Sequence, residues 1–316
     1  MTVTSGDIAL ARYRLSRYLT PTPLEAASGL GEHVWLKLEN TNKTHSFKIR
    51  GALNAMLALD PEARARGIIA VSSGNHAQGM ACAASLLGLN VRIIMPTNTA
   101  QRKVRGVIRW GSEPILFGEG YTEAEAEALR LRRERGLTFV SPYNDPQVVA
   151  GQGTIGLEII DALPDVERVI VPTSGGGLIS GIALAVKALK PSVEIVGVNL
   201  ERSPAMYNLM YGTQLPVFED SLADALPGEV EADSITIDIV RQWVDRLVLV
   251  SEEAVAQAMR WMVADAGWMV EGGGAVGIAA LMTGAVADDG KRTLVVISGG
   301  NVDANVLTHV LADTSP

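Results

Sequence analysis

Apolar positions along the chain follow two alternating rhythms. Unbroken Val/Ile/Leu-rich runs of a few residues predict strands at 34–39, 68–71, 91–95, 114–117, 138–140, 168–172, 194–199, 246–250 and 293–297. Between them, apolar residues recur at helical spacing and predict helices at 47–59, 75–87, 121–135, 147–162, 178–189, 252–266 and 275–281. Strands without polar alternation are those covered by helices on both faces, as in parallel sheets. The strand–helix alternation therefore predicts an α/β fold with right-handed crossovers. No Gly/Ser linker, low-complexity tract or internal repeat divides the chain. Turn-forming residues cluster at Asp60-Pro61 and at 141–146, and the segment between them holds four strands with helices of its own. The expected organisation is a large domain from 1–60 and 146–316, a small domain from 61–145, and a cleft between the two lobes.

A length of 316 residues exceeds the common single-domain range of roughly 100–200 residues and agrees with two lobes. The net charge of −8 argues against a nucleic-acid-binding surface, which needs clustered positive charge. Charged residues interrupt every apolar stretch before it reaches the roughly 20 residues of a membrane span. The N-terminus has no basic start followed by an apolar run and a cleavage site. Cys82 is the single cysteine, so neither an internal disulfide nor a thiolate metal cluster is open to this chain. A cytoplasmic location is expected. There are seven lysines against 20 arginines, so chemistry that needs an amine has few candidates.

Four junctions carry residues able to do chemistry, at the strand ends and helix starts where ligands of open α/β sheets gather. In Ser46-Phe47-Lys48-Ile49-Arg50-Gly51-Ala52 the lysine opens a helix, where both the helix dipole and burial disfavour its charged form. A lowered pKa is what an imine-forming lysine needs; in isolation, a surface lysine snorkelling to solvent has the same appearance. In Val71-Ser72-Ser73-Gly74-Asn75-His76-Ala77-Gln78 a strand runs into a helix start suited to a carboxylate, or simply into a Ser or Asn N-cap. In Pro172-Thr173-Ser174-Gly175-Gly176-Gly177-Leu178 three glycines permit close approach of backbone N–H groups to a phosphate, or mark only a tight turn. This is no dinucleotide fingerprint. Counted from Gly175, the last glycine position of G-x-G-x-x-G is Ser180; counted from Gly176, the middle one is Leu178. In Val295-Val296-Ile297-Ser298-Gly299-Gly300-Asn301 a hydroxyl sits at a strand end, able to pair with a ring nitrogen.

Together these junctions make a specific pattern. Lys48 in SFKIRGA, SSGNHAQG at 72–79, SGGGL at 174–178 and SGGN at 298–301 resemble, in order and spacing, the fold-type II pyridoxal phosphate (PLP) enzymes. Within them the match is to the threonine dehydratase and serine racemase branch, and it extends from Thr22-Pro23-Leu24 to the end of the chain. The resemblance implies a two-lobed, tryptophan synthase β-like fold with open, mostly parallel sheets, a homodimer, and an amino-acid substrate. It also implies roles. Lys48 would form the Schiff base with the cofactor and then act as the base at the substrate α-carbon. Phe47 would pack near the cofactor, Asn75 would bond its 3′-oxygen, and Gly175, Gly176, Gly177 and Leu178 would bind its phosphate. Ser298 would face the pyridine nitrogen. Ser72, Ser73, Gly74 and His76 would surround the substrate carboxylate.

A neutral serine at the ring nitrogen leaves it largely unprotonated, a weaker electron sink that favours prompt loss of a β-leaving group. The expected reaction is β-elimination from a β-hydroxy amino acid such as threonine, serine or a β-substituted serine, giving a 2-oxo acid and ammonia. Ser73 keeps an alternative open. Threonine-type dehydratases usually have alanine there, whereas serine racemase and threo-3-hydroxyaspartate dehydratase have serine, a second acid/base group of the kind racemisation needs. The alternative is therefore a serine- or aspartate-type racemase on the same cofactor. Relatives on the racemase-like branch place a divalent cation at a Gly-Val-Glu-Pro segment. Here Asn199 holds the glutamate position and Ala205 that of a further carboxylate, leaving only Glu201 nearby; no metal is expected. The stretches 201–206 and 221–227 look closer to hydroxyectoine-utilisation dehydratases, which suggests larger substrates. His45, Arg133 and Arg135 are further candidates for substrate contact.

Overall fold

The computed structural model describes residues 3–312, so the outermost residues of the large-domain range, 1–2 and 313–316, lie outside it. Ten strands run in chain order: β1 Leu24–Ala26, β2 Val34–Leu38, β3 Ile68–Val71, β4 Val91–Met95, β5 Ile115–Leu116, β6 Thr138–Phe139, β7 Arg168–Pro172, β8 Glu194–Leu200, β9 Arg246–Val250 and β10 Thr293–Ile297. They form two sheets. One has six strands in the order β1-β2-β10-β7-β8-β9, and the other has four in the order β5-β4-β3-β6. Every pairing is parallel except β1 with β2. The α/β class and the open, mostly parallel sheets are as the sequence predicts.

Burial explains why the strand sequences do not alternate. All residues of β3, β7 and β10 are buried. Val169, Val171, Leu294 and Val296 face one way, into a core with Ile155, Ile179 and Ile182. Ile170, Val295 and Ile297 face the other way, against Val255, Met259 and Ile278. Successive side chains point to opposite faces of a strand, so both sets must be apolar when helices cover both faces. In the smaller sheet Ile68, Ala70, Ile93 and Met95 pack with Ile49, Leu53 and Met56 of the helix Lys48–Ala58 and with Ala77 and Met80 of the helix Asn75–Leu87. Ile69, Val71 and Ile94 face Ala124, Ala128 and Leu131.

Seven helices and strands were not legible as such in the hydrophobic pattern. The helix Ser5–Leu15 is closed by a capping box in which Thr4 Oγ1 accepts from Asp7 N at 3.2 Å and Thr4 N donates to Asp7 Oδ2 at 2.9 Å. That Thr-x-x-Asp signal was readable, but few buried residues mark the helix. Asp60-Pro61 reads as a turn; instead Asp60 Oδ1 accepts from Ala63 N at 2.7 Å and Pro61 opens the helix Pro61–Arg66. Proline at the first helical position loses no intrahelical bond. Asp145-Pro146 likewise opens a helix, Pro146–Ala162, which the pattern does predict, at 147–162. The helices Gln101–Ile108, Ala205–Tyr211, Ile235–Trp243 and Ala304–Ala312 and the edge strand β1 complete the set.

Candidate active site

Lys48 is the first residue of its helix, with Phe47 at the N-cap in helical conformation. The loop before it is tied to the end of β10. Phe47 N donates to Ser298 O at 3.0 Å, and Gly300 N donates to His45 O at 2.9 Å. The helix Asn75–Leu87 crosses close behind: a Cβ on Gly79 would lie 3.1 Å from the Lys48 carbonyl carbon. Lys48 Nζ donates to Pro142 O at 2.9 Å and lies 5.1 Å from the centre of the Phe47 ring. Burial pulls its amine down to about 8, with the carboxylate of Glu271 opposing the shift. Burial, rather than the helix dipole alone, is thus the source of the lowered pKa.

The segment Ser72-Ser73-Gly74 leads into the helix Asn75–Leu87. Its N-cap is Gly74, no side chain caps the helix, and the Ser72 hydroxyl accepts from Gly74 N at 3.1 Å. A Ser or Asn cap does not account for these residues. The first-turn N–H groups lack side-chain acceptors, the arrangement that receives an anion. His76 Nε2 pairs with Val140 O at 3.2 Å, while its buried Nδ1 has no partner. Burial first, and then the nearby charge of Lys48, bring the imidazole down to about 3. It is a neutral ring with a free acceptor.

The three glycines form a cradle that side chains would fill. Gly176 is left-handed, at φ 85°, and caps the helix Gly177–Leu189 without a side-chain bond. A Cβ on Gly175 would stand 2.6 Å from Tyr143 Cγ, and one on Gly177 3.0 Å from Tyr143 Cα. Thr236 Oγ1 fixes the loop by donating to Gly175 O at 2.7 Å, and Leu178 is buried behind it. The same short segment therefore serves two parts of the site, since Pro142 receives the lysine amine and Tyr143 lies along the glycines.

Ser298 is buried and donates to Gly273 O at 3.2 Å. Asn75 donates through Nδ2 to Glu271 Oε1 at 2.6 Å and accepts from Asn301 Nδ2 at 2.7 Å. Burial raises Glu271 to about 7. Glu271, Pro142 and Tyr143 carry no sequence signal of a site role, apart from a carboxylate immediately before Gly272-Gly273-Gly274.

Other candidates fall elsewhere. Arg133 and Arg135 lie on the solvated face of the helix Tyr121–Arg135. His45 holds a left-handed φ of 54° and lines a neighbouring cavity of about 650 Å³, with Gln78, Arg102, Arg105 and Trp268, that Lys48 does not line. Glu201 is exposed, and Asn199 is used internally, donating to Thr173 O at 3.0 Å. Among the described residues no group of three or more His, Cys, Asp or Glu is placed to hold a metal ion.

The residues fit PLP on two observations: a partly buried amine with a depressed pKa, and a side-chain-free glycine cradle at a helix start.

Residues 15–299 match the family described as pyridoxal-phosphate dependent enzyme. The chain is 41% identical to an L-threonine ammonia-lyase of Thermotoga maritima, over 98% of this chain and 78% of that one. It is also 41% identical to a catabolic L-threonine dehydratase of Staphylococcus aureus, over 99% and 95% respectively. Its fold superposes on the structure of maize serine racemase with a TM-score of 0.92 at 31% identity, covering 98% of this chain and 97% of the other. Among the described residues no helix is long and apolar enough to cross a membrane.

Proposed function

The chain belongs to the pyridoxal-phosphate dependent enzymes, and from that membership we propose that it is an ammonia-lyase. It removes water from a β-hydroxy amino acid, L-threonine foremost, and yields a 2-oxo acid and ammonia. The observation that carries the reading is one lysine with an amine near 8, packed against an uncapped helix start and joined through Pro142-Tyr143 to the glycine cradle. Names of relatives above 40% identity support the choice of threonine.

When bound, PLP supplies the electron sink for the bond broken at the substrate α-carbon. The chain supplies the rest. The N–H groups at the start of the helix Asn75–Leu87, with Ser72, Ser73 and Gly74, bind the substrate carboxylate. His76 stays neutral beside them. Gly175, Gly176, Gly177 and Leu178 would hold the phosphate through backbone N–H groups, and Phe47 would pack near the ring. Ser298 would turn its neutral hydroxyl from Gly273 O to the ring nitrogen, and Asn75 would donate to the ring's 3′-oxygen. Lys48 Nζ would anchor the cofactor and, once released, take the α-proton. The β-hydroxyl leaves as water, and hydrolysis of the released enamine completes the reaction.

Ser73 and the overall likeness to maize serine racemase favour a second reading, racemisation with Ser73 as the second acid/base group. The test is to load the protein with PLP and offer L-threonine, L-serine, D-serine, threo-3-hydroxyaspartate and threo-phenylserine, following 2-oxo acid and amino-acid chirality. Release from L-threonine that vanishes in Lys48→Ala is the expected result. Inversion without release, lost in Ser73→Ala, would replace elimination by racemisation. The same proposal takes 61–145 as the small domain, a homodimer as the assembly and the cytoplasm as the location; sedimentation and cell fractionation test the last two.

A further inference from the structure

Asn75 is held at both ends of its side-chain amide, and the network fixes which end is which. Asn301 Nδ2 donates to the Thr44 carbonyl at 2.8 Å. A carbonyl accepts only, so the Asn301 amide is oriented with its nitrogen toward Thr44 and toward Asn75 Oδ1, 2.7 Å away. Asn75 Nδ2 must then face Glu271 Oε1, at 2.6 Å. One N–H of Asn75 is spent on Glu271, and the other is available to a ligand.

Glu271 is itself locked in place. Its N–H donates to Gly299 O at 3.1 Å, it stands at the N-cap of the helix Gly272–Met282 with its side chain free of the helix, and the residue is 4% exposed. A Cβ on Gly299 would overlap Glu271 Oε1, so that glycine leaves the carboxylate its path to Asn75. The contact also joins the lobes, because Asn75 is on a helix of the smaller sheet and Glu271 lies against β10 of the larger.

We infer that Glu271 is a positioning residue for the reaction: it accepts one N–H of Asn75, turns the other toward the cofactor ring, and through its own ionisation changes how strongly that second N–H is given. The inference rests on the PLP reading above. A hydrogen bond to a carboxylate is roughly twice as strong as one to a neutral acid, so protonation of Glu271 loosens the amide. The charged groups around it are known. Asp224 raises the Glu271 pKa and Lys103, paired with Asp224 at 2.6 Å, lowers it; Glu271 in turn raises that of Lys48. Arg102 is occupied by Asn301 O and Asp303, and His76 is neutral. With its carboxyl raised by burial to about 7, Glu271 changes charge near neutral pH.

The test is a pH titration of the visible absorbance of PLP-loaded protein, comparing wild type with Glu271→Gln, an isostere that keeps the acceptor and removes the charge. The wild type is expected to show a spectral step between about pH 6 and 8 that is missing from Glu271→Gln, with kcat about tenfold lower and KM little changed. A step of equal size in both proteins, or none in either, overturns the inference. Should Glu271→Gln fail to fold, Asn75→Ala serves: removing the amide must also remove the step, and its persistence refutes the relay. Wild-type protein that develops no visible chromophore with PLP defeats the cofactor reading and this inference with it, a result distinct from a chromophore whose titration ignores Glu271.

Discussion

Gly151→Ala adds a single methyl at the crossing between the helix Pro146–Ala162 and the helix that opens with Lys48. The new Cβ would lie 2.7 Å from Arg50 O and 2.7 Å from Gly51 Cα. Carbon contacts are comfortable from about 3.5 Å, so the helices must part by roughly 0.8 Å. Both obstructing atoms are backbone and cannot rotate away. Such overpacking costs about 1–3 kcal/mol, and each kcal/mol lowers Tm by no more than about 2–4 °C in a chain of this size. The larger effect is expected in rate, because Lys48 is two residues from Arg50 and a displacement near 1 Å at a reacting group costs up to roughly 100-fold. The assay is kcat/KM for threonine measured well below Tm at equal cofactor occupancy. Gly120→Ala is the control, since an added Cβ there meets nothing within 4 Å and φ is −143°. If Gly151→Ala loses stability but keeps wild-type kcat/KM, the crossing does not position Lys48 and the reasoning fails.

Three further outcomes are expected. Gly175→Ala forces Tyr143 off the glycine loop and should weaken PLP affinity about 10–100-fold, with Tyr143→Ala added as a second change restoring part of it; no recovery would mean that the ring is not the obstacle. The amine of Lys48 is free above its pKa near 8, so the rate of PLP uptake should rise only about tenfold from pH 7 to 9 and level off, whereas an ordinary lysine would give about a hundredfold rise without levelling. Arg50 bonds both oxygens of Glu39 and of Glu158 from a fully buried position. Arg50→Met should therefore cost about 3–5 kcal/mol in chemical denaturation by leaving the buried Glu39 carboxylate without its cation, Glu158 keeping Lys37, while Glu39→Gln combined with Arg50→Met recovers part of the loss.

Lys48, the glycine loop and the SSGNH helix start were legible because each is a local junction whose sequence and conformation coincide. Gly175–Gly177 announce a backbone without side chains wherever they stand, and the structure uses them so. Glu271 is different. Its meaning comes from Asn75, 196 residues away in the chain, and no local pattern encodes that meeting. Pro142 and Tyr143 read as turn residues because turn chemistry is all that their neighbours show; their contacts with Lys48 and Gly175 arise only when the two sheets face each other. The Asp-Pro pairs at 60–61 and 145–146 show a different ambiguity. The same residues that interrupt an extended chain also open a helix, and only the Asp side-chain bond to a following N–H distinguishes the two.

The position of β10 sets an order of events in the life of the chain. It lies between β2 and β7, pairing Thr293 with Val34 on one side and with Arg168 on the other. The smaller sheet has all its strands once residue 139 has been synthesised, but the larger one waits for its central strand until residue 297. Before that, β2 and β7 carry open edges, the kind of surface that recruits other chains. Ser298, Gly299 and Gly300 arrive with the same strand, so nascent chains ending short of it should neither hold cofactor nor stay dispersed on the ribosome. Completion of the candidate site and pairing of the two inner edges, β2 and β7, are therefore one event.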